Sequence, residues 1–253
     1  IEEILECSVK TNYRNKTSEP IYKKDGKIMT GFYSKKSHDI FSANENLLRS
    51  KISEKIIDKF LYIVNSYCKA SNEFKVYNEK ENTGFLKHII VRNNEKNEVM
   101  IVIVINKKSQ YRLLTKVLEK LYDENNEVKS VYISIKNESN NVILGEEIRH
   151  VFGEKYLEEE IEGIKFKIYP DSFFQINKNQ TVKLYKKAIE YLGESKDKTI
   201  IDAFSGTGTI AMILSKDAKK VIGIESVESS VVSGNFTIKE NNLNNVLLLN
   251  GKV

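Results

Sequence analysis

The spacing of apolar residues predicts helices and strands along the whole chain. Apolar side chains recur every three or four positions over residues 47–70 and again over 109–123, which predicts two amphipathic helices. Two β-rich runs flank the polar segment 93–97 and predict a hairpin over residues 85–106. Further strand-like runs cover residues 27–41, 128–136 and 141–152. We therefore predict an α+β domain over residues 1–165.

A different pattern begins at residue 166, where short strands and helices alternate. A helix over 179–192 is followed by predicted strands at 199–203, 220–225 and 245–250, with helices at 207–216 and 228–241 between them. Such alternation with short connections is typical of a parallel sheet flanked by helices. The sequence therefore predicts a second, α/β domain over residues 166–253.

Composition and charge exclude some classes of protein without identifying this one. Apolar residues make up 40% and charged residues 30% of the chain, and no apolar run reaches the length of a membrane span. The only cysteines, Cys7 and Cys68, lie far apart without a C-x-x-C pattern, so neither a disulfide framework nor a zinc site is expected. A reducing cytoplasm is therefore expected. The net charge of +5 is compatible with an RNA partner.

Candidate chemistry begins at the segment TIIDAFSGTGTIAMIL, residues 199–214, where a glycine turn joins a strand to a helix. The strand ends in Asp202, and Ala211 replaces the third glycine of a dinucleotide-binding G-x-G-x-x-G motif. An acidic strand end suits the ammonium and sulfonium groups of S-adenosylmethionine better than a pyrophosphate. Gly206 and Gly208 allow close approach of a ligand, and helix N-terminal amides can take its carboxylate.

The next predicted strand also ends in an acid, Glu225. A carboxylate at this position can accept hydrogen bonds from both ribose hydroxyls, a role found in methyltransferases and dehydrogenases. Together with the glycine turn and Asp202, it favours S-adenosylmethionine over a nicotinamide cofactor. The alternative is a structural glycine turn with two solvated acids.

The segment YPDSFFQIN at 169–177, followed by a helix and the glycine turn, resembles the RNA uracil-5-methyltransferases. YRNK at 13–16 and the segments at 26–40 and 86–92 resemble the same family, in the same order. The resemblance implies an RNA-recognition domain followed by the first half of a Rossmann-like, class I S-adenosylmethionine-dependent methyltransferase domain. It also implies methylation of C5 of a uridine in RNA, with 23S rRNA favoured over tRNA, by a cytoplasmic parent protein expected to be a monomer.

Roles for individual residues follow from the same resemblance. Arg14 and Lys16 would face RNA phosphates, although an ordinary solvated turn is an equal alternative. By residue type alone, Phe173 and Phe174 are more often core aromatics than ligand contacts. The residues expected to bind the cofactor are Gln175, Asp202, Phe204, Gly206, Thr207, Gly208, Thr209 and Glu225.

The chain also departs from the family. Its chemistry uses a cysteine thiolate that attacks C6 of uracil and a carboxylate that removes the C5 proton. No matching segment occurs before residue 253, so we expect both groups beyond it, in a parent from which this chain is truncated at both ends. The position of a cluster cysteine reads Glu45-Asn46-Leu47-Leu48, so no 4Fe–4S cluster is expected.

Truncation predicts a further property and leaves other functions open. A missing neighbouring strand would expose the segment 199–204 as a sheet edge and promote self-association. A non-catalytic RNA-binding module and a methyltransferase for another substrate are the alternative functions.

Overall fold

A computed structural model describes residues 3–35, 39–42, 46–70, 74–138, 140 and 142–253. The chain divides into two units by its internal contacts. The first unit comprises residues 10–157, and the second comprises residues 158–253 together with the N-terminal segment up to residue 9.

The first unit is built on a seven-stranded sheet. The strand order is β3-β2-β1-β4-β5-β6-β7, and every neighbouring pair is antiparallel except β5 and β6. The strands are β1 (Lys16–Lys24), β2 (Lys27–Tyr33), β3 (Ile40–Ser42), β4 (Leu86–Asn93), β5 (Val99–Ile105), β6 (Val128–Ile135) and β7 (Glu147–Gly153). Its helices are α1 (Lys51–Ala70) and α2 (Tyr111–Glu124).

Strand β5, between β4 and β6, is buried along its whole length. Ile101 and Ile103 belong to the hydrophobic cluster that includes the apolar residues of both helices. Met100 and Val102, which alternate with them, belong to a second cluster on the other face of the sheet. Burial on both faces explains why the strand reads as a continuous apolar run. The predicted hairpin and both predicted helices are present.

The second unit contains a three-stranded parallel sheet in the order β10-β11-β12. Its elements are β8 (Leu157–Ile161), β9 (Ile164–Ile168), α3 (Lys178–Leu192), β10 (Thr199–Ala203), α4 (Thr209–Leu214), β11 (Lys220–Glu225), α5 (Glu228–Glu240) and β12 (Val246–Asn250). Strands β8 and β9 form a separate two-stranded sheet. The predicted α/β class and the alternation of elements are confirmed.

The boundary between the units falls within β8, earlier in the chain than the sequence suggested. Ile161 and Ile164 of the β8–β9 hairpin pack in the same hydrophobic cluster as the parallel sheet. Burial of this apolar pair therefore places residues 158–165 with the second unit.

The N-terminal segment also belongs to the second unit, because polar side chains of α3 bind its backbone. Gln180 Nε2 donates a hydrogen bond to the Leu5 carbonyl oxygen at 2.8 Å, and Lys183 Nζ donates to the Glu6 carbonyl oxygen at 2.6 Å. Asn177 Nδ2 lies 3.5 Å from Cys7 Sγ. Cys7 is therefore in the unit that carries the glycine turn, whereas the sequence placed it in the other domain.

Strand β10 has one neighbour, β11, among the strands of the described residues. Ile201 on this strand is 65% exposed. The predicted sheet edge is therefore present, while self-association through it stays a prediction. In the described part of the chain, every helix is too short or too polar to cross a membrane.

Candidate cofactor site

The turn between β10 and α4 has an unusual backbone. Phe204, Gly206 and Gly208 have φ angles of +61°, +57° and +78°, in the left-handed region. For Phe204 this conformation costs roughly 1–2 kcal/mol, because its Cβ approaches the backbone. The Phe204 side chain is 78% exposed, so packing of the ring does not repay the cost. Strain of this kind clusters at functional sites.

Gly208 is required by close packing as well as by its φ angle. A Cβ at this position would lie 2.8 Å from Leu248 Cδ1. The same leucine would also meet a Cβ at Gly223, at 2.3 Å, and at Gly234, at 2.2 Å. Leu248 is 3% exposed and fills the space that these three glycines leave. The turn therefore packs against Leu248 of β12.

Gly206 has a different environment. A Cβ at this position would meet no atom within 4 Å in the described structure. The space beside Gly206 is therefore open, and a ligand can approach the backbone there.

Glu225 at the end of β11 holds the turn in place through hydrogen bonds from backbone amides. Its Oε2 accepts a hydrogen bond from the Gly206 amide at 2.9 Å, and its Oε1 accepts from the Val227 amide at 2.8 Å. These amides, that of Val227 first, lower the pKa of the Glu225 carboxyl. Oε1 also accepts from the Ser226 hydroxyl at 3.1 Å, so the carboxylate is charged at neutral pH and oriented, and Oε2 has lone-pair capacity for a further donor.

Asp202 at the end of β10 is the least satisfied acid of the site. Its Oδ2 atom is buried and has no hydrogen-bond partner. Burial raises the pKa of the Asp202 carboxyl, and the Ala211 amide partly offsets this effect. A buried carboxylate oxygen without a donor is costly, and a cationic ligand group would satisfy it. The ammonium group of S-adenosylmethionine fits this requirement.

Two hydroxyl groups lie at the start of α4. The Oγ1 atoms of Thr207 and Thr209 are 3.4 Å apart, where the first amides of the helix have no intrahelical acceptor. Ser205, which the sequence did not single out, has a buried Oγ atom without a partner. The turn therefore offers polar groups beyond those that it uses internally.

The segment before α3 brings Gln175 to a tyrosine that the sequence did not identify. Tyr185 is 7% exposed and hydrogen-bonds to the Gln175 side chain. Burial raises the pKa of the Tyr185 hydroxyl, and the charge of Asp202 raises it further. The structure therefore brings Gln175, Tyr185 and Asp202 together. The only sequence signal was a tyrosine on the apolar face of a predicted helix.

The two neighbouring phenylalanines differ in environment. Phe174 is 8% exposed, and its ring centroid lies 5.8 Å from that of Phe166. Phe173 is 69% exposed. The expectation of a core aromatic is therefore confirmed for Phe174 and wrong for Phe173.

Arg14 and Lys16 lie in the first unit, within a group of cations. Lys16 on β1 pairs with Arg92 on β4, and burial together with Arg92 lowers the pKa of Lys16 to about 8. Arg14 forms a backbone bridge with Arg49, whose side chain binds the fully buried Glu19 at 2.9 Å. Lys16 is therefore held in a positive environment that an anion would relieve.

The comparisons with known proteins identify the family. The family model for tRNA (uracil-5-)-methyltransferases matches residues 7–250. The chain belongs to this family.

Within the described residues, no group of three or more histidine, cysteine or acidic side chains is arranged to hold a metal ion.

Individual relatives agree with this result. An uncharacterized RNA methyltransferase of Fusobacterium nucleatum is 42% identical over 253 residues, which are 100% of this chain and 53% of the relative. One from Clostridium tetani is 34% identical over 252 residues, covering 100% of this chain and 54% of the relative. The chain thus spans about half the length of these relatives.

The fold matches that of a solved member of the family. The crystal structure of the Pyrococcus abyssi tRNA (uracil-54, C5)-methyltransferase, in complex with S-adenosyl-L-homocysteine, has a TM-score of 0.75 and 24% identity. The match covers 96% of this chain and 56% of that protein. The mixed α/β fold of class I methyltransferases is therefore confirmed.

Proposed function

We propose that the chain forms the RNA-recognition and cofactor-binding parts of an enzyme that methylates C5 of a uridine in RNA. We further propose S-adenosylmethionine as the methyl donor, 23S rRNA rather than tRNA as the substrate, and the cytoplasm as the location. The unpartnered, buried carboxylate oxygen of Asp202 beside the strained glycine turn is the observation that carries the proposal.

The two acids of the site have specific proposed roles toward the cofactor, which supplies an electrophilic methyl group when bound. Asp202 would bind its ammonium group, because this contact removes the cost of the unpaired oxygen. Glu225 would accept hydrogen bonds from the ribose, for which its carboxylate is already oriented. The remaining proposed contacts are Gln175, Phe204, Gly206, Thr207, Gly208 and Thr209.

In the first unit, Arg14 and Lys16 are proposed to bind RNA phosphates. The pKa of Lys16, about 8, is lowered by burial and by Arg92, so a phosphate would favour the charged lysine. Phosphate contacts of this kind position a nucleic acid without reading its sequence.

We assign no catalytic residue within residues 1–253. The family resemblance implies a thiolate nucleophile and a carboxylate base in segments that have no counterpart in this sequence. Methyl transfer is therefore proposed for a polypeptide that combines these residues with both groups.

Calorimetric titration of the chain with S-adenosylhomocysteine tests the cofactor assignment. Asp202→Asn and Glu225→Gln should each weaken binding by roughly 10-fold to 100-fold, the value of a charged hydrogen bond. Asp217→Asn, an exposed acid that follows α4, makes the same charge change and should leave binding unchanged. Equal affinities in all four proteins would contradict the assignment.

The same preparation separates the alternative functions. RNA binding without cofactor binding would indicate a non-catalytic RNA-binding module. Cofactor binding without RNA binding would indicate a methyltransferase for another substrate.

A further inference from the structure

Two lysines of the first unit are almost completely buried side by side. Lys87 on β4 is 6% exposed, and Lys136, directly after β6, is 5% exposed. Lys87 Nζ donates a hydrogen bond to the Lys136 carbonyl oxygen at 2.9 Å and lies 4.0 Å from the centroid of the Tyr77 ring. Lys136 Nζ donates to Asn140 Oδ1. Both ammonium groups are thus held by neutral partners.

Within the described residues, neither ammonium group has a carboxylate within 4.0 Å. Buried lysines are rare in proteins unless they are paired, because loss of hydration is costly. Burial, and after it the charge of Lys136, lowers the pKa of Lys87, and the more distant carboxylates of Glu138 and Glu79 only partly offset this effect. An anion in direct contact with the two ammonium groups would reduce the cost of burying them.

The lysines line an open cleft with a volume of about 1230 Å³. This volume exceeds the ~300–1,000 Å³ that is typical of small-molecule pockets. The cleft is lined by four lysines, including Lys23 and Lys80, and two acids, Glu79 and Glu138, so positive charge predominates. The positive environment favours a polyanion over a single small ligand.

Aromatic rings line the same cleft. Tyr33 is 43% exposed, and its ring centroid lies 6.3 Å from that of His88. Burial, together with Lys87 and Lys136, lowers the pKa of His88 to about 4, so this imidazole is neutral at pH 7. Aromatic rings in a positively charged groove are the combination with which proteins hold unpaired nucleotides, through stacking and phosphate contacts.

We propose that this cleft is a second RNA site, in which Lys87 and Lys136 bind backbone phosphates of an unpaired RNA segment beside Tyr33. The site is separate from Arg14 and Lys16, and it rests on the proposed function in that the ligand is the RNA substrate. It is distinct in kind from the cofactor site, since it recognises phosphate through lysines.

Fluorescence anisotropy with a labelled, uridine-containing single-stranded RNA tests this site in the 253-residue chain. Lys87→Gln/Lys136→Gln should weaken binding roughly 100-fold or more, since two charged hydrogen bonds are lost. The slope of log K against log salt should become shallower by about 1.4, or about 0.7 for each lost phosphate contact. Lys59→Gln/Lys96→Gln removes the same charge from two exposed positions and should change neither quantity comparably.

Fold and ligand source are checked in parallel. Tyr33→Ala removes a ring that is 43% exposed and leaves both buried lysines in place, so it should weaken RNA binding roughly 5-fold to 100-fold in a chain that still folds. Competition by uridine 5′-monophosphate or inorganic phosphate as strong as by RNA would overturn the proposal in favour of a small-anion site.

Three outcomes distinguish this site from the proposed function. Weaker RNA binding with a shallower salt slope, beside unchanged binding of S-adenosylhomocysteine, supports the second site. Unchanged RNA affinity and slope in the double variant overturn the second site alone. Failure of the unmodified chain to bind RNA overturns both the second site and the RNA part of the proposed function.

Discussion

Replacement of each turn glycine by alanine should separate the stability of the turn from its ligand binding. Gly208→Ala adds a Cβ 2.8 Å from Leu248 Cδ1 and 2.9 Å from its Cδ2, at a φ of +78°. Left-handed strain of about 1–2 kcal/mol and overpacking of about 1–3 kcal/mol should lower the free energy of unfolding of the second unit by roughly 2–5 kcal/mol. Gly206→Ala, with open space around it, should cost the strain alone, roughly 1–2 kcal/mol.

Gly206→Ala should be the variant that impairs ligand binding, although it is the less destabilising of the two. The alanine methyl at position 206 occupies the open space beside the turn, so binding of S-adenosylhomocysteine should be lost by Gly206→Ala in a unit that still folds. The effect of alanine on the unfolded chain is the same in both variants and cancels in the comparison.

Peptide-resolved hydrogen exchange is the suitable assay for this comparison. The chain has no tryptophan whose fluorescence could follow unfolding. Hydrogen exchange, in contrast, reports the stability of the second unit separately from that of the first. If Gly206→Ala destabilises peptides of α4 and β11 as much as Gly208→Ala does, the packing argument from Leu248 is refuted. If Gly206→Ala binds the ligand normally, the open space beside the turn is not part of the site.

Three other perturbations test the packing and the electrostatics. Leu248→Ala should destabilise the second unit by about 2–5 kcal/mol and should partly rescue Gly208→Ala, which hydrogen exchange of the double variant would reveal as a cost below the sum of the two. Because burial raises the pKa of Asp202, its contribution to stability is complete below its unfolded pKa of about 3.9 and is lost as pH rises through the folded value. Asp202→Asn should therefore reduce the fall in stability between pH 4 and pH 7, and an unchanged pH profile in urea denaturation would contradict this. Arg49→Met leaves the fully buried Glu19 unpaired and should cost about 3–5 kcal/mol in the first unit, whereas Glu19→Gln/Arg49→Met should recover most of it in thermal melts.

The sequence was sufficient to predict features that depend on neighbours along the chain. The glycine turn after β10 and the acid at the end of β11 follow from local patterns, because strand ends and turns use characteristic residues. The helices α1 and α2 were predictable since their apolar residues recur with the helical period.

Features that depend on distant packing could not be predicted in this way. The contact of Leu248 with Gly208 joins residues separated by three intervening elements, and no local pattern marks it. Tyr185 and Phe173 show the same limit, because residue type alone does not decide which aromatic ring is buried. The division by internal contacts at residue 158, a few residues before the predicted boundary near 165, depends on which core buries the β8–β9 hairpin, and no local pattern shows this.

The packing of Leu248 against three glycines constrains how the second unit can change during evolution. A side chain at position 208 would need a smaller residue at position 248, whereas a Cβ at position 223 would also meet Ser205 Oγ at 2.9 Å and one at position 234 the Thr207 carbonyl oxygen at 2.5 Å. In a collection of homologous sequences, positions 208 and 248 should therefore vary together, glycine should persist at 223 and 234 whichever residue stands at 248, and position 206 should vary with the chemistry of the ligand.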